Sequence, residues 1–102
     1  MIEMIIKHAD TIEALCRRYY VAKLEIFGSA ADGSFDPDKS DLDFLVEFGE
    51  VPEGQRFDTY FALLHDLENL FGRRIDLVES DALRNPYLIR RVDESRRLIY
   101  AA

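Results

Sequence analysis

Two aspartates one residue apart, Asp41 and Asp43, open a β-type run, and a third, Asp76, sits inside a later one at residues 75–78. Alternate side chains of a strand share a face, so Asp41 and Asp43 point the same way, roughly 7 Å apart at ~3.3 Å per residue. Carboxylates at that spacing can converge on one cation or on a metal pair. Without such a partner, two like charges at the end of a core strand are costly. Asp76 poses the same problem, because an acid is disfavoured in a strand centre and expensive to bury alone. A metal or an arginine beside it is the natural explanation. The other reading of Asp76 is an exposed edge-strand acid paired with Arg74.

The residues ahead of this pair are of a type that handles phosphate. A β-type run at residues 23–27 ends in Gly28-Ser29. Ser29 is a good N-cap, and Ala30-Ala31 can form one helical turn whose free amides face an anion before Gly33 stops it. Taken alone, Gly-Ser closes many strands for conformational reasons, and Asp-x-Asp is often a turn ending followed by a solvated residue. Strand, Gly-Ser turn, polar loop and Asp-x-Asp strand in that order match phosphate-metal chemistry.

The elements that hold these residues follow from periodicity. Ile5, Ala9, Ile12, Leu15, Cys16 and Tyr19 recur at helical spacing through residues 1–20, which predicts one amphipathic helix packed on a sheet. Leu24, Ile26 and Phe27 mark the first strand. Residues 34–40, with Asp36-Pro37-Asp38, read as a surface loop that returns Asp41 beside Gly28. Residues 41–48 then place Leu42, Phe44, Val46 and Phe48 on one face and Asp41, Asp43, Leu45 and Glu47 on the other. After a Gly/Pro connection at 49–54, Phe57, Tyr60, Phe61, Leu64, Leu67 and Phe71 predict a helix capped by Gly72. Asn85-Pro86 starts a last helix running to about Glu94, and residues 97–100 suit an edge strand. The expected fold class is α/β: a small mixed β-sheet of three to four strands flanked by helices, forming a single domain over residues 1–102.

Composition narrows the function classes. At 102 residues, 48% hydrophobic and 32% charged, the chain suits one ordinary globular core. Its apolar runs fall far short of the ~20 residues of a membrane helix, and its first twenty residues mix charges with apolar positions. No membrane partner and a cytoplasmic address are therefore expected. Cys16 is the only cysteine, so no intramolecular disulfide or cysteine zinc cluster can form, and helix packing is its expected role. His8 and His65 lack a partner at ligand spacing and read as surface or partly buried polar groups. Net charge is −7, with seven carboxylates against Lys39 alone between Asp32 and Glu50. That density repels polyanions, so long nucleic acid is disfavoured as a substrate, although the arginine-rich second half leaves room for a local basic patch.

Gly28-Ser29, the Asp41-Leu42-Asp43 strand opening and Asp76 together resemble the minimal nucleotidyltransferases (MNT) of the DNA polymerase β superfamily. The resemblance spans residues 23–78, with the helix of residues 55–71 in the expected place. Size and acidic balance are similar to those of antitoxins in HEPN/MNT toxin-antitoxin pairs. The resemblance implies a nucleotidyltransferase-like fold in which Gly28 and Ser29 hold the triphosphate of ATP and Asp41 and Asp43 hold two magnesium ions. It further implies that Asp76 completes the metal site at the acceptor hydroxyl or takes its proton. The implied acceptor is a tyrosine of a partner HEPN-type toxin, which is adenylylated and silenced, and a homo- or hetero-oligomer would complete the pocket. Eleven residues, rather than the family's ten, separate Ser29 from Asp41, and Asp32 stands where the family has arginine. A loop absorbs the extra residue, but an acid facing phosphate weakens binding unless Lys39 or an arginine of the second half supplies the charge. Two alternatives stay open: an impaired relative that neutralises its partner by binding alone, and a non-enzymatic metal-binding structural domain.

Overall fold

The computed structural model describes residues 3–102. Its helices are α1 (Glu3–Lys7), α2 (Ala9–Arg18), α3 (Ser29–Asp32), α4 (Arg56–Phe71) and α5 (Pro86–Ser95). Its strands are β1 (Val21–Phe27), β2 (Leu42–Phe48), β3 (Ile75–Glu79) and β4 (Arg97–Ala101), with a 3-10 turn at Ser80–Ala82. The strands form one mixed sheet in the order β3-β2-β1-β4. β1 runs antiparallel to β2 and β4, whereas β2 and β3 are parallel and joined through α4. This is the small mixed α/β sheet that the alternating and helical patterns predict, with four strands.

Alternation in β2 divides the core. Leu42, Phe44, Val46 and Phe48 join Leu24, Ile26, Ile75 and Leu77 beneath Ile12, Cys16, Leu63 and Leu67 of α2 and α4. Each fully buried side chain of this kind contributes about 1.5–3 kcal/mol. The opposite face is thinner: Phe27 and Leu45 pack with Val92 of α5, and Glu25 and Asp43 are buried beside them. Helices α2 and α4 thus carry the apolar face, and α5 covers a face that includes two acids.

The first helix differs from expectation. Residues 1–20 are not one helix: among the described residues it breaks at His8, whose N–H bonds back to the Ile5 carbonyl at 3.3 Å and whose φ is −103°. The His8 ring meets Phe71 edge-on at 5.6 Å, an aromatic contact that accompanies the break. Ile5, Ile12 and Cys16 still face the core, but Ala9 is exposed. Met1 and Ile2 lie outside the described residues. Burial, then the Glu13 carboxylate, pushes the Cys16 thiol up to about 12, consistent with packing rather than reactivity. Gly72 takes the left-handed conformation at φ +61° that ends α4, and Asn85 Oδ1 accepts from the Tyr87 and Leu88 amides at 2.9 and 3.3 Å to start α5. Among the described residues, no helix is long and apolar enough to cross a membrane.

Candidate active site

Register brings the separate motifs into one row. Phe27 pairs with Asp43 across β1 and β2, and Asp43 pairs with Asp76 across β2 and β3. Parallel neighbours stand ~4.8 Å apart, so the Asp43 and Asp76 side chains leave the sheet side by side. Asp41 lies two residues earlier, just ahead of β2, and is exposed. Gly28 follows Phe27 directly, so the Gly-Ser turn lies at the same end of the sheet as all three acids.

Asp43 bears the burial. Its residue is 6% exposed, because β2 is an interior strand flanked on both sides. Asp76 lies on β3, an edge strand, and is exposed, so the expected cost of burial falls on Asp43 instead. Among the described residues Arg74 forms no ion pair with Asp76. The arginine in the site is Arg91 of α5, whose Nη2 lies 3.0 Å from Asp43 Oδ2. Burial pushes the Asp43 carboxyl from the ordinary 3.8 up to about 6, with Arg91 opposing the rise and Asp76 and Asp41 adding to it.

The turn at Gly28 is tied to α5. Gly28 has φ +71°, and a Cβ there would stand 2.5 Å from Asp43 Oδ2 and 2.8 Å from Arg91 Nη2. Only glycine permits both the conformation and the approach. Its N–H donates to Ser95 Oγ at 2.8 Å, and Ser95 Oγ donates to the Arg91 carbonyl at 2.8 Å. The Ala31 and Asp32 amides donate to the Gly28 carbonyl at 3.0 and 3.1 Å, so a phosphate at this turn has the Ser29 hydroxyl and the Ser29 and Ala30 amides to meet, rather than the Gly28 amide. Gly28, Ser29, Asp32, Ser34, Arg91, Glu94 and Ser95 line a cavity of about 260 Å³. Asp32 is fully exposed, and its Oδ1 accepts from the Ser34 hydroxyl at 2.6 Å and amide at 2.9 Å, which holds its carboxyl below the usual range. A larger cavity of about 420 Å³, between Arg18, Tyr20 and Asp58, shares no residue with this one and contains none of the three acids.

Residues 9–99 match the model of the nucleotidyltransferase domain. The chain belongs to that family. A candidate protein adenylyltransferase of Methanocaldococcus jannaschii is 37% identical over 98 residues, covering 96% of this chain and 91% of its own. A solved candidate minimal nucleotidyltransferase superposes with a TM-score of 0.74 at 33% identity, covering 93% of this chain and 92% of that one. One chain of the solved complex of tri-AMPylated Shewanella oneidensis HEPN toxin with MNT antitoxin shares the fold, with a TM-score of 0.65 at 16% identity over 96% of this chain and 73% of that one.

In this nucleotidyltransferase the donor set is all carboxylate oxygen, the hard-ligand chemistry that suits magnesium. Among the described residues no three His, Cys, Asp or Glu side chains stand together as a group that could hold a metal ion. Asp43 instead holds a guanidinium, so its carboxylate accepts a cation, and the residues fit magnesium in the way that needs only one or two carboxylates, with substrate phosphate oxygens supplying further ligands. Sequence reasoning pointed to an arginine of the second half without singling out Arg91, and it missed Ser95. Their i, i+4 spacing puts them on one helix face, but that face has meaning only once α5 docks over β1 and β2.

Proposed function

We propose that this nucleotidyltransferase moves AMP from ATP onto a hydroxyl of a partner protein, a tyrosine of a HEPN-type toxin, and so acts as its antitoxin in the cytoplasm. The observation that carries this reading is the row formed by Asp43 and Asp76, with Asp41 two residues before it and the Gly28-Ser29 turn at the same sheet end. The adenylyltransferase relative and the fold shared with the HEPN toxin complex support the choice of donor and acceptor.

Asp41 and Asp43 present the oxygens that would hold two magnesium ions, and Asp76, exposed on the edge strand beside Asp43, would add its carboxylate to that set. Bound magnesium would neutralise phosphate charge and acidify the acceptor hydroxyl. Ser29 at the turn would bind and orient the outer phosphates. The acceptor oxygen forms a bond to the α-phosphorus as the bond to the bridging oxygen breaks. Pyrophosphate leaves, and the hydroxyl proton passes to Asp76, the exposed carboxylate of the row. Positioning and charge neutralisation carry most of such a step.

Incubating the chain with α-labelled ATP, magnesium and the HEPN-type product of an adjoining gene tests this reading. Label should appear on a toxin tyrosine, and Asp41→Asn with Asp43→Asn should reduce transfer by at least a hundredfold. Silencing of the toxin that survives these substitutions, with no label transferred, would replace the enzyme reading with neutralisation by binding.

A further inference from the structure

Arg91 of α5 and Arg96, which caps its C-terminus, reach the acids on this face of the sheet, and they are held differently. Arg96 grips Glu25 with two parallel bonds, Nε to Oε2 at 2.8 Å and Nη2 to Oε1 at 2.6 Å, and its Nη1 reaches Asp93. That fork is closed. Arg91 makes one ion pair, Nη2 to Asp43 Oδ2 at 3.0 Å, with its guanidinium also 5.7 Å from the Phe27 ring centroid, and its side chain is 53% exposed whereas that of Asp43 is 8% exposed. Among the described residues its guanidinium forms no other hydrogen bond, so most of its five donors remain free.

Arg91 also lies where a triphosphate would lie. Its Nη2 is 2.8 Å from the point a Gly28 Cβ would occupy, and it lines the cavity with Ser29, Asp32 and Glu94. Two of those neighbours are carboxylates, so without Arg91 the cavity would repel a polyanion. Ser95 anchors the Arg91 carbonyl to the Gly28 turn, so the side chain can move while its backbone stays fixed. A guanidinium fork suits phosphate oxygens as well as it suits a carboxylate.

We propose that Arg91 is a cation with two positions: on Asp43 while the site is empty, holding the place of the metal, and on the triphosphate once magnesium and ATP enter. Resting on the nucleotidyltransferase reading, this gives the site the phosphate-facing charge that Asp32 does not supply. Magnesium and the guanidinium then compete for Asp43, whereas nucleotide and the guanidinium attract each other.

These relations give opposite signs in calorimetric titrations of the wild type, Arg91→Ala and Arg91→Lys with magnesium chloride alone and with magnesium plus an ATP analogue that resists α-β cleavage. Arg91→Ala should bind magnesium alone severalfold more tightly and the magnesium-nucleotide about tenfold or more weakly, on the scale of one charged hydrogen bond lost. Arg91→Lys keeps the charge without the fork, so it should shift both affinities the same way by less, and it tests the idea even if the alanine variant folds poorly. Unchanged nucleotide affinity in Arg91→Ala, or a parallel loss for metal and nucleotide, would reduce Arg91 to a structural partner of Asp43 and overturn the proposal alone. A wild type that binds neither probe would instead overturn the nucleotidyltransferase reading beneath it.

Discussion

Asp43 is where the site and the stability of the fold oppose each other. Its carboxyl titrates near 6 in the fold against 3.8 ordinarily, so folding favours the protonated form. The contribution of this group to stability is present below about pH 4 and is lost as the pH rises through about 6; the two-unit difference is worth on the order of 3 kcal/mol. Asparagine copies the shape of the neutral form. Without metal, Asp43→Asn should therefore melt higher than the wild type at pH 8, and the gap should close toward pH 4, as scanning calorimetry across that range would show. A variant that melts lower at pH 8 would mean that the Arg91 pair outweighs the burial. Residue types alone mark Asp41, Asp43 and Asp76 as a group but misplace the cost among them. Local alternation does not distinguish an interior strand from an edge strand, and Asp76 proved to be on the edge. Arg91 carries no local mark either, because it is one of several arginines in the second half of the chain and gains its role only through the docking of α5.

At the scale of elements, α5 is the clamp. It begins where Asn85 and Pro86 predict and lies over the sheet face that holds Glu25 and Asp43. Ser95, 6% exposed, ties its last turn to the Gly28 amide. Ser95→Ala leaves that buried N–H without its acceptor, a loss of about 1–3 kcal/mol that urea unfolding would measure. Magnesium-nucleotide affinity should fall as well, since the same bond holds the Arg91 backbone. The helix ends and strand alternation were legible because Gly72, Asn85, Pro86 and the apolar periods are local signals. The break at His8 was not, since no Gly or Pro marks it and a contact with distant Phe71 accompanies it. Nor was the Asp43-Asp76 register, which depends on how α4 returns β3 to the sheet.

For the molecule as a whole, the candidate site is small and polar. Its cavity of about 260 Å³ lies below the ~300–1,000 Å³ usual for a small-molecule pocket, and no apolar or aromatic side chain lines it. Such a site can hold phosphates through Ser29 and Arg91, but it has nothing on which a base can stack. On the proposed reading, a preference for adenine would come largely from a surface that a partner adds. By linkage, nucleotide with magnesium at ten times its dissociation constant stabilises the fold by about 1.4 kcal/mol, which for a domain of this size raises the melting temperature by roughly 5–10 °C. ATP and GTP should give nearly the same rise in the isolated chain, and either nucleotide without magnesium should give much less, because the acids would face the phosphates directly. Thermal scans with each nucleotide, with and without magnesium, measure this. A large preference for ATP in the isolated chain would show that the fold provides a base pocket of its own, and a flat response to both would count against nucleotide binding at this site.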